Sequence, residues 1–151
     1  MSPAHAVVAF LEGEGPDVAG RSVFDVLAFD NATLERTHDF IQWLFPLAEV
    51  SGAVPDAPVL TADDIAAIQA SGLAHCALAA ATDRMDAFYR TTHDWLMPND
   101  HNHRRITRII RSLRLLVGDA QADAFRDAIL ARVEETRAPV SVRSRGYWAT
   151  A

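Results

Sequence analysis

His38, Asp39, Gln42 and Trp43 stand together in the stretch HDFIQWLFP, which runs from His38 to Pro46. They combine an imidazole able to take a proton, a carboxylate able to orient it, an amide that both donates and accepts, and an indole donor. Spacing limits what they can do. His38 and Asp39 are adjacent, as are His93 and Asp94, and neighbours on a helix point about 100° apart, so neither pair forms an acid–base couple by itself. In a helical reading His38 falls on an apolar stripe with Leu34 and Ile41. The expectation is a buried imidazole bonded to a carbonyl or carboxylate, and an enzyme using His38 as its base is the less favoured alternative. Gln42 and Trp43 lie at the edge of the same stripe. With Trp95 they are candidates for an anchor pocket holding a short peptide.

Two further clusters carry chemistry on paper. Asp100, His101 and His103 resemble a chelating set, but positions two apart on a first helical turn face away from each other. No HExxH or paired CxxC spacing supports a closed metal site, so helix capping by Asp100 is the favoured reading. Arg104, Arg108 and Arg111 line one face of a helix over 103–117, with Arg105 beside them and Arg114 on another side. A polyanion or nucleic-acid phosphate could follow that row, extended by Arg143 and Arg145 with Tyr147 and Trp148. Internal pairing with the acid excess of the N-terminal two thirds is the favoured alternative. Cys76 has no neighbouring cation to activate it. No glycine-rich phosphate loop, GxSxG elbow or paired-carboxylate motif occurs, so neither a catalytic residue nor a cofactor is assigned.

The elements that must position these residues read as helices throughout. A short helix around Ala6 to Leu11 precedes the turn-rich EGEGPDVAG stretch, and Ser22 with Asp25 opens a second helix to Leu27. Asp30 or Asn31 caps a third that carries Leu34, His38, Ile41 and Phe45 to a stop at Pro46. Thr61 with Asp64 opens a helix to about Ala70, a long helix runs from Gly72 to Met97, and Asp100 caps the next. In that helix Ile106, Ile109, Ile110, Leu113, Leu116 and Val117 follow the i, i+3, i+4, i+7 rule. Gly118 ends it, and Asp119 caps a final helix holding Ala122, Phe125, Ile129 and Val133. From Pro139 a basic tail is expected. The fold class is all-α, a single-domain bundle of five to seven helices over 1–151, with its core at about 4–137 and a tail at 138–151.

Composition sets the outer bounds. A 151-residue chain that is half apolar and 23% charged can bury a core without staples. A lone cysteine excludes an internal disulfide. No segment approaches the roughly 20 apolar residues of a membrane span, and the N-terminal apolar run lacks a basic leader, so a cytoplasmic location is expected. Charge is uneven: residues 1–100 hold 4 Arg against 15 acids, whereas 101–151 hold 10 Arg against 5 acids. All 14 basic residues are Arg, for which coding bias is the simpler source.

The order Phe10-Leu11-x-Gly13, Asp17 to Arg21 with its Gly20-Arg21, Leu34-Glu35, HDFIQWLFP, Ala57-Pro58-x-Leu60 and RITRIIRSL from Arg105 to Leu113 resembles the conserved region of the opioid growth factor receptor family. Matching pieces extend from about Phe10 to Trp148. For animal members the resemblance implies a receptor for an enkephalin peptide at or near the nucleus. For short bacterial members it implies this region alone, without an assigned activity. This chain resembles the short kind, and it carries Phe40 where the family motif more often shows Tyr. The resulting expectation is a non-catalytic binding domain for a short peptide or protein partner. Nucleic-acid binding through helix 103–117 stands second.

Overall fold

The computed structural model describes residues 3–151, and side chains from Ala6 onward. Among the described residues there are nine helices: α1 (Pro3–Leu11), α2 (Val23–Leu27), α3 (Asn31–Arg36), α4 (Ile41–Leu44), α5 (Ala62–Ala70), α6 (Gly72–Thr91), α7 (His101–Leu116), α8 (Asp119–Thr136) and α9 (Val142–Thr150). The one β feature among them is an isolated parallel bridge between Leu47 and Val59. The fold class is all-α.

Local chemistry starts most of these helices where the sequence predicts. Ser22 and Asp25 form a reciprocal capping box at α2, and Thr61 and Asp64 form another at α5. Asp30 accepts the Thr33 N–H at 2.8 Å, and Asp100 accepts the Asn102 N–H at 3.0 Å. Each such cap is worth about 1 kcal/mol. Asp119 is the first residue of α8 rather than its cap; Gly118 takes the cap position at φ 142°, a conformation that excludes other residues.

Three expectations are corrected. The helix expected from Asp30 to Pro46 is two, because α3 stops at Thr37, which is extended at φ −93° and ψ 126°. Every residue from Phe40 to Leu47 is buried. A helix lying on a core buries only one side, so eight successive buried residues require the chain to leave that register. The long sixth helix ends at Thr91 rather than Met97. There the Trp95 indole N–H turns back and donates to the Tyr89 and Thr92 carbonyls at 3.0 and 3.1 Å, groups a helix end leaves without partners. The basic tail is helical: α9 buries Ser144 and Trp148.

Two compact units are distinguishable, the first running to Ala81 and the second comprising Thr82–Ala151. In the first, α1 packs on α4 and α5, and Phe10 meets Trp43 edge-on with ring centroids 5.6 Å apart. Gly13 follows α1 at φ 77°, with the Phe24 ring 3.0 Å from where a Cβ would stand. Helices α5 and α6 meet at 86°. At that bend Ser71 Oγ accepts the Ala74 N–H and donates to Glu12 at 2.8 Å.

In the second unit α7 packs on both α8 and α9. Its buried stripe of Ile106, Ile109, Ile110, Leu113 and Leu116 is the one the sequence predicts, except that Val117 is the half-buried residue capping the helix end. No single helix among the described residues is long and apolar enough to cross a membrane.

Candidate ligand-recognition site

The HDFIQWLFP stretch is tied to the upstream Asp17–Arg21 turn by one guanidinium. Gly20, at φ 80°, lets the chain reverse so that Asp17 Oδ1 accepts the backbone N–H groups of Ala19 and Arg21, each at 2.9 Å. Arg21 Nε then donates to Asp17 Oδ2 at 2.7 Å, and its Nη2 donates to Asp39 Oδ1 at 3.0 Å. The same guanidinium lies 5.8 Å from the Phe29 ring centroid, and Phe29 meets Phe40 edge-on at 5.9 Å. Burial works against the Arg21 charge, but the hydrogen bonds to Asp17 and Asp39 outweigh it and raise the Arg21 pKa above its ordinary value. This network is not predicted from the sequence. The signal that could have found it is an acid placed before Gly20-Arg21, a turn that turns a guanidinium back on the carboxylate.

Gln42 sits inside the segment this network positions. It is 4% exposed, flanked by buried Ile41, Trp43 and Leu44. Its Oε1 is buried with no hydrogen-bond partner among the described residues. A buried carbonyl left unpaired costs about 1–3 kcal/mol, and such groups are rare enough in native proteins to call for an explanation. Trp43 is buried against Phe10 rather than presented at a surface.

The remaining predicted site residues fall elsewhere. His38 is exposed, not buried as expected, because the chain from Thr37 to Phe40 is not helical and no longer carries it onto the stripe of Leu34. Trp95 belongs to the second unit and is fully buried. Its N–H is consumed at the end of α6 and its ring packs on Tyr89 at 5.3 Å, which removes it as an exposed aromatic anchor.

The arginines of α7 do not form a uniform row. Arg104 and Arg111 are exposed, Arg108 is half-buried and Arg105 is buried. Arg114 donates to Asp119 and Asp123 at 2.8 Å each, and its Nε donates to the Ala151 carbonyl at 2.9 Å. The Arg114 hydrogen bond holds the Asp123 carboxyl below the usual aspartate range. Internal pairing therefore accounts for Arg114, and also for Arg126, which lies 3.2 Å from both Asp123 and Asp127. The acids that pair with these two are those of α8, in place of the expected acids of the N-terminal two thirds.

Of Asp100, His101 and His103, the first two stay together, with His101 Nδ1 3.7 Å from Asp100 Oδ1, and only His103 leaves the set. Asp100 is occupied at the α7 cap, whereas His103 is buried with Nδ1 2.8 Å from Ser144 Oγ and Nε2 2.7 Å from the Trp95 carbonyl. A carbonyl only accepts, so Nε2 carries a proton, and both ring nitrogens are consumed. Cys76 is exposed.

Helices alone, with an Arg-centred tie holding a buried aromatic motif, define the class as an all-α domain protein. The opioid growth factor receptor (OGFr) conserved region matches residues 16–94, just over half of the 151-residue chain, and the chain belongs to that family. The matched span takes in the Asp17–Arg21 turn and HDFIQWLFP but stops short of α7, whose RITRIIRSL also resembles the family. No curated protein and no solved structure matches the chain.

Proposed function

We propose that this chain is a non-catalytic binding domain whose ligand is a short peptide, recognised in the first unit at Gln42. The observation that carries the proposal is the unpartnered, buried Gln42 Oε1. A peptide offers N–H donors at regular intervals, and one reaching Oε1 would recover the hydrogen bond that folding leaves unmade. Two facts support the placement. Gln42 lies within the family-matched span, and Arg21 ties that segment to the turn before it. His38 is exposed two residues ahead of the buried run.

Titration of the full chain with an enkephalin peptide by calorimetry tests this. Saturable heat and a raised melting temperature are expected for the wild type. Gln42→Leu is expected to abolish both while leaving the fold as stable or more so, by up to about 1 kcal/mol, since it replaces an unpaired polar group with an apolar one. A Gln42→Leu protein that still binds the peptide would exclude Gln42 as the recognition group. Absent heat with wild type would exclude this class of peptide.

A further inference from the structure

The family match ends at residue 94, and the excess of Arg over acids lies after it. Residues up to Ala81 hold 2 Arg against 11 acids, whereas Thr82–Ala151 hold 12 Arg against 9 acids. Within the second unit the charge is concentrated further. Helices α7 and α9 pack on one another and together carry seven Arg and no acid.

Their crossing is fixed from inside. His103 bonds the Ser144 hydroxyl, the Trp148 indole N–H donates to the His103 carbonyl at 3.1 Å, and the two rings meet edge-on at 5.3 Å. Ser144 and Trp148 are consequently the inward face of α9. Arg143, Arg145 and Tyr147 are exposed, Tyr147 by 53%. Position 143 shares a flank with 147, and the Arg143 guanidinium lies 5.8 Å from the Tyr147 ring centroid. Position 145 falls on the opposite flank. Arg104, which follows His103 at this crossing, is exposed as well. Arg104, Arg143 and Arg145 have no ion pair among the described residues, in contrast to Arg114 and Arg126.

We propose that the outer face of α9, with Arg104 of α7, binds single-stranded nucleic acid. Guanidinium groups without internal counterions match a chain of phosphates, each of which takes a planar fork of donors. A strand crossing α9 meets Arg143 and Tyr147 on one flank and Arg145 on the other. Tyr147 decides between polyanions: its exposed ring offers a stacking surface to an unpaired base, whereas an acidic peptide uses the cations and leaves the ring idle.

Fluorescence anisotropy of a labelled, mixed-sequence single-stranded oligonucleotide with the full chain tests the proposal. Three phosphate contacts predict a slope of about −2 in log affinity against log salt, or roughly 20-fold weaker binding at 200 mM than at 50 mM. Arg143→Ala with Arg145→Ala should weaken binding at least about tenfold and bring the slope near −0.7. Tyr147→Ala should weaken it with the slope unchanged. Helical content by circular dichroism should be unaltered in both variants, whose side chains are exposed. No binding at 50 mM salt would overturn the proposal. So would a poly-glutamate peptide competing on equal terms together with an inert Tyr147→Ala, an outcome that assigns the face to an acidic protein instead. Gln42→Leu should leave oligonucleotide binding untouched, which separates this surface from the peptide reading.

Discussion

Arg21 reaches 18 residues along the chain to Asp39, donating Nη2 to Oδ1 at 3.0 Å while its Nε stays on Asp17. The two carboxylates differ sharply in setting, since the Asp17 side chain is 0% exposed and that of Asp39 is 46% exposed. Removal of the guanidinium strands a buried charge, whereas removal of Asp39 leaves the tighter pair intact. Arg21→Ala should therefore cost about 3 kcal/mol and Asp39→Ala less than about 1 kcal/mol. Arg21→Lys should recover little, because a single ammonium cannot serve both acids with a planar fork. Urea denaturation of the three variants checks the ranking, and equal losses for Arg21→Ala and Asp39→Ala would contradict it.

His103 joins three segments of the second unit through Trp95, Ser144 and Trp148. Its truncation removes a packed ring and leaves the Ser144 hydroxyl and the Trp95 carbonyl without their partner. His103→Ala should lower stability by about 3 kcal/mol, and Ser144→Ala by about 1–2 kcal/mol. Thermal unfolding followed by circular dichroism gives both values. A His103→Ala protein melting at the wild-type temperature would show that the ring carries no structural role.

Two glycines should respond in opposite directions to the same change. Gly13→Ala forces a side chain into a left-handed conformation with a Cβ 3.0 Å from the Phe24 ring, and should destabilise by about 1–2 kcal/mol. Gly146 lies inside α9 with nothing within 4 Å of a Cβ. Gly146→Ala should stabilise by about 0.5–1 kcal/mol through helix propensity and a less flexible unfolded chain. Denaturation midpoints of the pair settle the sign of each.

Acid sensitivity should trace in part to Asp123. Its folded carboxyl is held below the ordinary value of 3.8, chiefly by the hydrogen bond from Arg114. A depressed carboxyl contributes stability that is fully present above 3.8 and is lost as pH falls through the lower folded value. Asp123→Asn should thus flatten the decline in urea midpoint between about pH 5 and pH 2. An unchanged acid profile in the variant would count against the pairing.

What the sequence disclosed follows the range over which each feature is determined. The caps at Ser22, Asp30, Thr61 and Asp100 act over two or three residues, and the stripe of α7 repeats within one helix, so both were legible. The periodicity that predicts a buried His38 presumes that α3 continues, and continuation is decided by burial of Phe40 to Leu47 within the first unit. Helix α9 is not legible in the sequence because only Ser144 and Trp148 of its nine residues are buried, and their partner His103 is 41 and 45 residues away. Trp95 shows the same limit: an indole N–H capping a helix end and one contacting a ligand look identical in a sequence.

The tryptophans are distributed so that optical measurements can address each unit by itself. Trp43 is the one tryptophan of the first unit, Trp95 and Trp148 belong to the second, and all three are buried. Replacing Trp43 with Phe, or the other pair with Phe, leaves emission that reports unfolding of one unit without an attached dye. Loss of order around Gln42 and loss of the α7–α9 crossing then become separately visible in the same cuvette.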